Sequence, residues 1–468
     1  MKPTLITIAL NAAVLLAAAA AYSLEPCRVL VTDRENGWPV PLVELRTTHN
    51  VRFHTDNAGV VALDLPELFG RETWLFVESD GYEVPADGFG SRGVRVTPEP
   101  GDIIEIEVDR TIVAKRLGRL TGAGIFGESQ KLGEHLDWKE SGGFGSDSVQ
   151  NAAHRGRMFW AWGDTVLAKY PLGLFHMTSA TTEVAPLASF EPPLKLELDY
   201  FRDEDGRLRN VADVAPDDRG PTWVSGYVSL PDASGKPRLA GHYAKIEPPM
   251  SVYRTGLCVW NEETENFESV TVLWEKSETE PEPPAEPVGH PAFWTDEEGT
   301  DWVLFGDPFP TLRVPATFEA WRDPSQWETI EPPSTMESAA DGASVDPHRG
   351  SIAWNEFRGR WVTIFCEENG DPSPLGEIWY AEADSPLGPW GKAVKVLSHR
   401  QYSFYNPRIH PEFSPEGSPI LLFEGTYTQM FSAAPVETPR HNYNQILYRL
   451  DLDELELDRE KGMARRQE

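Results

Sequence analysis

Between residues 27 and 113 apolar and polar positions alternate with a period of two in short runs. These are Arg28-Val-Leu-Val-Thr, Val43-Glu-Leu-Arg, Val60-Val-Ala-Leu-Asp-Leu, Thr73-Trp-Leu-Phe-Val-Glu and Ile103-Ile-Glu-Ile-Glu-Val. Turn-forming groups separate them: Asn36-Gly37, Asn57-Ala-Gly59, Asp80-Gly81 and Pro100-Gly101. Short half-buried strands at this spacing predict a small β-sandwich over residues 24–113. Residues 114–143 read as a connector. Its Gly122-Ala123-Gly124 has neither the preceding apolar strand nor the following helix of a phosphate loop, so it predicts a turn.

From 144 to 453 the pattern changes to one recurring module: a strand, a tight turn, and a strongly apolar or aromatic second strand ending in a polar residue. The second strands are Arg157-Met-Phe-Trp-Ala-Trp-Gly-Asp164, Pro237-Arg-Leu-Ala-Gly-His242, Trp302-Val-Leu-Phe-Gly-Asp307, Trp361-Val-Thr-Ile-Phe-Cys-Glu367 and Ile420-Leu-Leu-Phe-Glu-Gly425. Several are followed by a third strand, as at Leu257–Asn261, Ile378–Glu382 and Ile446–Asp451. Five repeated sheets without helical segments predict an all-β chain: an N-terminal small β-sandwich followed by a five-bladed β-propeller. The competing architecture is an array of two-sheet sandwiches. Acidic, Pro-rich inserts such as Glu275 to Pro287 read as exposed connections, and residues 454–468 as a charged tail.

Register arithmetic gives the modules chemical content. If Arg155-Gly156 is a two-residue hairpin turn, cross-strand partners sum to 311 and Asp147 opposes Asp164. Directly opposed Cβ atoms lie roughly 4.5–5.5 Å apart, where two like charges are destabilising unless a proton, cation or ligand separates them. The plainer reading is a loop cap and a solvated carboxylate. The same sum with four-residue turns places Ser225 opposite His242, His290 opposite Asp307, Glu367 opposite Gly350 and Asn406 opposite Gly425. In a propeller these positions converge on one mouth, with Trp162, Tyr243 and Tyr405 nearby. His290 beside Asp307 would be held as one tautomer, or be a structural pair. A central divalent cation such as calcium is compatible with Asp and His, although no ligand spacing demonstrates one; no other cofactor is indicated.

Composition adds compartment and partner class. The 468 residues carry a formal net charge of −32, which lacks the basic footprint of a nucleic-acid binder. Sixteen Trp suit sheet cores or platforms for sugar rings. Met1-Lys2-Pro3, the apolar run from Leu5 to Ala21 and the small residues that close it have the plan of a signal peptide over residues 1–23. An uncleaved anchor is the alternative, but the run is shorter than the roughly 20 residues of a membrane span. Export to the periplasm, cell surface or medium follows, with no transmembrane segment after cleavage. Cys27, Cys258 and Cys366 are too few and scattered for a disulfide framework and are expected as buried hydrophobes.

Two resemblances extend this. Val31-Thr-Asp33, Gly37-Trp-Pro-Val-Pro-Leu-Val-Glu44, Thr55-Asp-Asn-Ala-Gly59 and Ser79-Asp-Gly-Tyr82 resemble carboxypeptidase-regulatory-like, transthyretin-type sandwiches, which are mostly accessory. Phe144-Gly-Ser-Asp-Ser148, Trp162-Gly-Asp-Thr165 and Tyr405-Asn-Pro-Arg408 resemble a family of five-bladed propellers of uncharacterised domains, over roughly residues 140–453. Some members of that family are endo-acting D-arabinan hydrolases. The resemblance implies Asp147 and Asp164 as catalytic acids; Val166 departs from the Phe that usually follows Gly-Asp-Thr, and the fused sandwich is outside the family pattern.

The chemistry expected is glycoside hydrolysis. One carboxyl of the pair stays protonated beside its neighbour's charge and donates to the leaving oxygen, while the other is base or nucleophile. The separation of the two distinguishes retention, at about 5–5.5 Å, from inversion, at about 6.5–9.5 Å; the resemblance favours inversion. His242, His290, Asp307, Glu367 and Asn406 are expected to bind sugar hydroxyls, and Trp162 or Tyr405 to stack on a ring. The partner is a polysaccharide, an arabinan-type furanoside first. A non-catalytic propeller binding glycan or protein at the same mouth is the alternative, and a cell-surface structural protein a third.

Overall fold

The computed structural model describes residues 25–174, 177–184, 192–215, 218–400, 402–433, 441–457 and 464–465. The signal-like residues 1–23 and most of the charged tail lie outside them. Among the described residues no helix is long and apolar enough to cross a membrane.

The N-terminal runs form two four-stranded sheets. One has the order Val60–Leu63, Cys27–Asp33, Ile103–Arg110, Tyr82–Glu83; the other has Arg52–His54, Glu44–Thr47, Thr73–Glu78, Gly93–Val96. Cys27–Asp33 buries every second residue, so Cys27, Val29 and Val31 meet Leu45, Val77, Ile106 and Val108 in one core. Period two has become a buried face. All three cysteines are free and buried.

Five four-stranded antiparallel sheets follow, and these are the blades of the propeller. They begin with Val149–His154, Thr222–Pro231, Ala292–Thr295, Pro347–Asn355 and Ser403–Ile409, each paired to the second strand expected from the repeat. The strands Ser251–Asn261, Ile378–Ala383 and Asn444–Asp451 are third in their sheets, as expected. The expected connector is only partly one. Within it Lys115–Arg119 becomes the fourth strand of the last blade, paired to Asn444–Asp451, so a strand from before the first blade closes the ring. Gly122 and Gly124 both have positive φ, as the predicted turn requires. Contrary to expectation a buried strand does precede this turn and a short helix, Gly127–Lys131, follows it; with five residues that helix is a single turn. The acidic insert is exposed along most of its length, but Glu286 at its end is buried.

Hydrogen bonds around the inner strands join each blade to the next. Gly226 N–H reaches Gln150 Oε1 at 3.2 Å and Gly289 O at 3.1 Å. Gly350 N–H donates to Asp307 Oδ1 at 2.7 Å, Ile409 N–H to Ser351 Oγ at 2.8 Å, and Tyr405 O–H to Asp147 Oδ1 at 2.7 Å. The last of these joins the fifth blade to the first.

The sandwich holds the closing strand. Asn57 is fully buried; its Nδ2 donates to Arg119 O and Leu194 O, both at 3.0 Å, and its Oδ1 accepts from Arg119 N at 2.8 Å. Arg116 is buried on the same strand, its guanidinium donating to Pro41 O, Ser79 Oγ, Asp80 O and the Tyr448 hydroxyl. Asn57→Ala strands three buried backbone groups and is expected to cost roughly 3 kcal/mol or more in unfolding free energy. Urea denaturation checks this; a loss under about 1 kcal/mol would mean the closing strand does not need the sandwich.

Candidate active site

Two segments of one hairpin, one in the first blade and one in a three-stranded sheet beyond it, share one register. Val149 pairs with Trp162 and His154 with Arg157, while Gly145 pairs with Val166 and Ser146 with Thr165, every pair summing to 311. Between them the regular ladder lapses. Asp147 N–H still donates to Asp164 O at 3.0 Å, and Gly163 N–H to Ser148 O at 3.3 Å. Gly163 leaves room there, because a Cβ on it would stand 3.0 Å from Asp147 Cβ and press on that side chain.

The two carboxylates have opposite surroundings. Asp147 is half-buried, and its Oδ1 accepts from the Tyr405 hydroxyl at 2.7 Å, Ser148 N at 2.6 Å and Ser148 Oγ at 2.7 Å. Asn406, whose φ of 52° places it in the left-handed region, directs its Nδ2 onto Ser148 Oγ. Asp164 is 6% exposed and its Oδ1 has no hydrogen-bond partner. Burial, then the charge of Asp147, pushes the Asp164 carboxyl up to about 6; the Trp223 indole opposes the rise, although its Nε1 is not in hydrogen-bonding geometry. Burial and the nearby Asp147 also push the Tyr405 and Tyr443 phenols far up, so both stay protonated donors. The result is one carboxylate held by donors beside one carboxyl that keeps its proton into the weakly acidic range.

Below this cluster lies a buried polar plug. Asn151 Nδ2 contacts His410 Nδ1 at 3.2 Å, and His410 Nε2 contacts Glu424 Oε1 at 2.9 Å. Since the amide donates, Nδ1 accepts and Nε2 carries the proton. Arg408 Nε donates to Asn151 Oδ1, and Trp160 lies 5.4 Å from the His410 ring.

The other expected site residues are dispersed. Trp162 is 0% exposed and packs between Trp160 and Tyr200, so it offers no face to a sugar. His242 opposes Ser225 as expected, but it is buried and paired to Glu286 Oε2 at 2.7 Å. His290 does not oppose Asp307. The third-blade pairs sum to 596 rather than 597, and His290 N–H bonds Gly306 O. Its ring is buried, and burial followed by the positive charge of Arg408 holds it well below the usual histidine range. Asp307 instead accepts from Arg349 Nη1 and Gly350 N–H, joining two blades. Glu367 opposes Pro347 rather than Gly350, and its Oε2 accepts from Trp379 Nε1 at 2.8 Å. Only Tyr405 and Asn406 of the expected binding residues join Asp147 and Asp164.

The misplaced pair has a specific cause. Asp296 N–H bonds Thr300 O, and its Oδ1 accepts from Glu298 N and Thr300 N, so the loop has five residues rather than four. A one-residue change in register moves a side chain to the other face. Asp232 closes a five-residue loop in the same way, yet His242 keeps its expected partner because a bulge between Ser225 and Val228 restores the count. Trp223 and Tyr443 were not anticipated, and Ser148 stood in the quoted Phe144-Gly-Ser-Asp-Ser148 motif without a role. Arg408 stood in the quoted Tyr405-Asn-Pro-Arg408 motif, but its role as a buried donor was not. Among the described residues no group of three or more His, Cys, Asp or Glu is disposed to hold a metal ion, so the central cation has no ligand set there.

No family model matches the chain, and no curated protein is similar to it. Solved structures are similar at low identity. An exo-1,5-alpha-L-arabinanase from a bovine ruminal metagenomic library is 12% identical at a TM-score of 0.36, covering 66% of this chain and 94% of that one. A Cellvibrio cellulosa alpha-L-arabinanase mutant is 12% identical at 0.37, covering 69% and 96%. An exo-beta-1,3-galactanase from Phanerochaete chrysosporium, solved with galactose, is 9% identical at 0.36, covering 69% and 63%. Similarity at this level carries no argument about activity, which rests on the site itself.

The raised Asp164 carboxyl has a measurable consequence. Its folded value of about 6 exceeds the unfolded value of roughly 3.9. Between these the folded state holds a proton that the unfolded state has released, so stability falls as pH rises from about 4 to about 6 and is level above. The loss is on the order of 3 kcal/mol. Asp164→Asn is therefore expected to gain roughly 2–3 kcal/mol relative to the parent between pH 4 and pH 7, read by denaturant titration at both. A difference between the two proteins that does not change with pH would place Asp164 in an ordinary environment.

Proposed function

We propose that this protein is an exported glycoside hydrolase that cleaves a polysaccharide, arabinan-type furanosides being the first substrate class, with Asp164 as proton donor and Asp147 as its partner carboxylate. The observation that carries the reading is the asymmetry of the opposed pair. Asp164 is buried, lacks a partner at Oδ1 and is raised to about 6, as a general acid at mildly acidic pH requires. Asp147 is more exposed and is oriented by Tyr405 and Ser148. The resemblance of the Ser-Asp and Gly-Asp-Thr segments to endo-acting D-arabinan hydrolases supports the choice of substrate, and the signal-like N-terminus supports export.

In the proposed reaction Asp164 gives its proton to the glycosidic oxygen as the bond to the anomeric carbon breaks. Asp147 takes a proton from the attacking water, or attacks the anomeric carbon itself. Tyr405 and Ser148 hold the Asp147 oxygen that does not react. Asn406 reaches this assembly through Ser148, so it is a positioning residue.

Reading the chain as a non-catalytic glycan-binding propeller is favoured by one observation, the burial of Asp164. Release of reducing ends from furanose and pyranose polysaccharides separates the two. Asp147→Asn and Asp164→Asn are each expected to lower kcat by about 10²–10⁴-fold with folding intact. In the parent, kcat/KM is expected to fall as pH rises through about 6, where Asp164 loses its proton. Graded loss of affinity without any turnover in the parent would decide for binding alone.

A further inference from the structure

A cavity that shares no lining residue with the carboxylate pair lies at the seam between sandwich and propeller. It has a volume of about 530 Å³, with walls from the sandwich strands Glu44–Thr47 and Thr73–Glu78 and from Arg400, Tyr402 and Tyr427 of the propeller. This is within the roughly 300–1,000 Å³ of small-ligand sites, which favour domain interfaces. Tyr402 and Tyr427 stack at 3.8 Å in its lining.

Its polar lining is incompletely used. Glu44, His54 and Asp80 are 8%, 5% and 9% exposed, yet Glu44 Oε1, His54 Nδ1 and Asp80 Oδ2 make no hydrogen bond, and neither does the buried Arg46 Nε. Their other atoms are committed. Glu44 Oε2 lies 3.2 Å from Arg52 and 3.4 Å from His54 Nε2, and Asp80 Oδ1 accepts from Arg400 N at 2.9 Å. Arg46 Nε and Glu44 Oε1 face each other at 3.5 Å outside hydrogen-bonding geometry. Those two atoms still form an ion pair; a buried polar atom with no partner at all is costly, so His54 Nδ1 and Asp80 Oδ2 suit a ligand that can donate and accept.

The charge of the lining selects the ligand class. Glu44, Glu78, Asp80 and Glu83 stand against Arg46, Arg92 and Arg400, close to balance. A phosphate would meet the carboxylates and a metal ion the guanidinium groups. Hydroxyl groups suit both: they donate to Glu44 and Asp80 and accept from Arg46. We propose that this seam is a second glycan-binding site that takes a neutral sugar unit and holds a polysaccharide against the protein through residues other than the carboxylate pair. The choice of a glycan over other neutral polyols rests on the hydrolase reading.

The test uses the full mature chain carrying Asp147→Asn and Asp164→Asn, titrated calorimetrically with arabinan-derived and xylan-derived oligosaccharides. Binding is expected to persist in this chain and to weaken at least tenfold when Asp80→Asn is added. Ser91→Trp, which fills the cavity from its rim without altering the buried groups, is expected to do the same, and thermal melting of each variant confirms folding. Either seam substitution alone in the parent is expected to leave hydrolysis of short oligosaccharides unchanged, so failure of the seam site and failure of the hydrolase reading remain distinct. The proposal is overturned if no oligosaccharide binds the doubly substituted chain, if neither seam substitution weakens binding, or if inorganic phosphate or calcium binds in a way that Asp80→Asn abolishes.

Discussion

Closure between the first and last blades is the constraint on which the site depends. Tyr405 and Asn406 reach across this seam to Asp147 and Ser148, from positions 258 residues away in sequence. Ser146 N–H also bonds Tyr443 O, and the Gln445 amide bonds Ser146 O. If the ring opened here, Asp147 would lose its phenol donor and the pair would lose its asymmetry. Hydrogen bonds between inner strands hold the remaining seams, but only this one carries the candidate chemistry.

The same closure gives the sandwich a structural purpose. Lys115–Arg119 leaves the sandwich and completes the last blade, and Asn57 and Tyr82 bond its backbone while Arg116 reaches back into the sandwich. Clamping one strand from both sides fixes the fifth blade's third strand, whose Gln445, with Tyr443 just before it, bonds Ser146 of the first hairpin. An accessory domain can in this way set the geometry of a site it does not line. Its own cavity against Arg400 and Tyr402 arises from the same contact between domains.

Local signals in the chain were readable where a physical rule has a short range. The period-two runs became strands, the apolar second strands became second strands, and Arg155-Gly156 made a two-residue turn, so the sum of 311 located Asp147 opposite Asp164. The rule failed where loop length was ambiguous. Asp296 reads equally well as the end of a strand or the start of a five-residue loop, and that single residue moved His290 away from Asp307. In the second blade a bulge at Gly226 cancelled the same error. Nothing in the local pattern distinguishes the two cases, because a bulge in the inner strand reflects contact with neighbouring blades.

The sequence by itself determined the strands, their repeat and the opposed carboxylates, since alternation, turn chemistry and hairpin register depend on residues a few positions apart. Tertiary structure decided which groups surround them. Trp162 became core rather than platform because Trp160 and Tyr200 cover its faces. His242 turned to Glu286 and Asp307 to Arg349, each finding in another part of the fold the partner that burial demands. The raised proton affinity of Asp164 belongs to this second class: burial and the proximity of Asp147 are properties of the closed ring, and hydrophobic pattern encodes neither the depth of a carboxyl nor the donors that leave it unpaired.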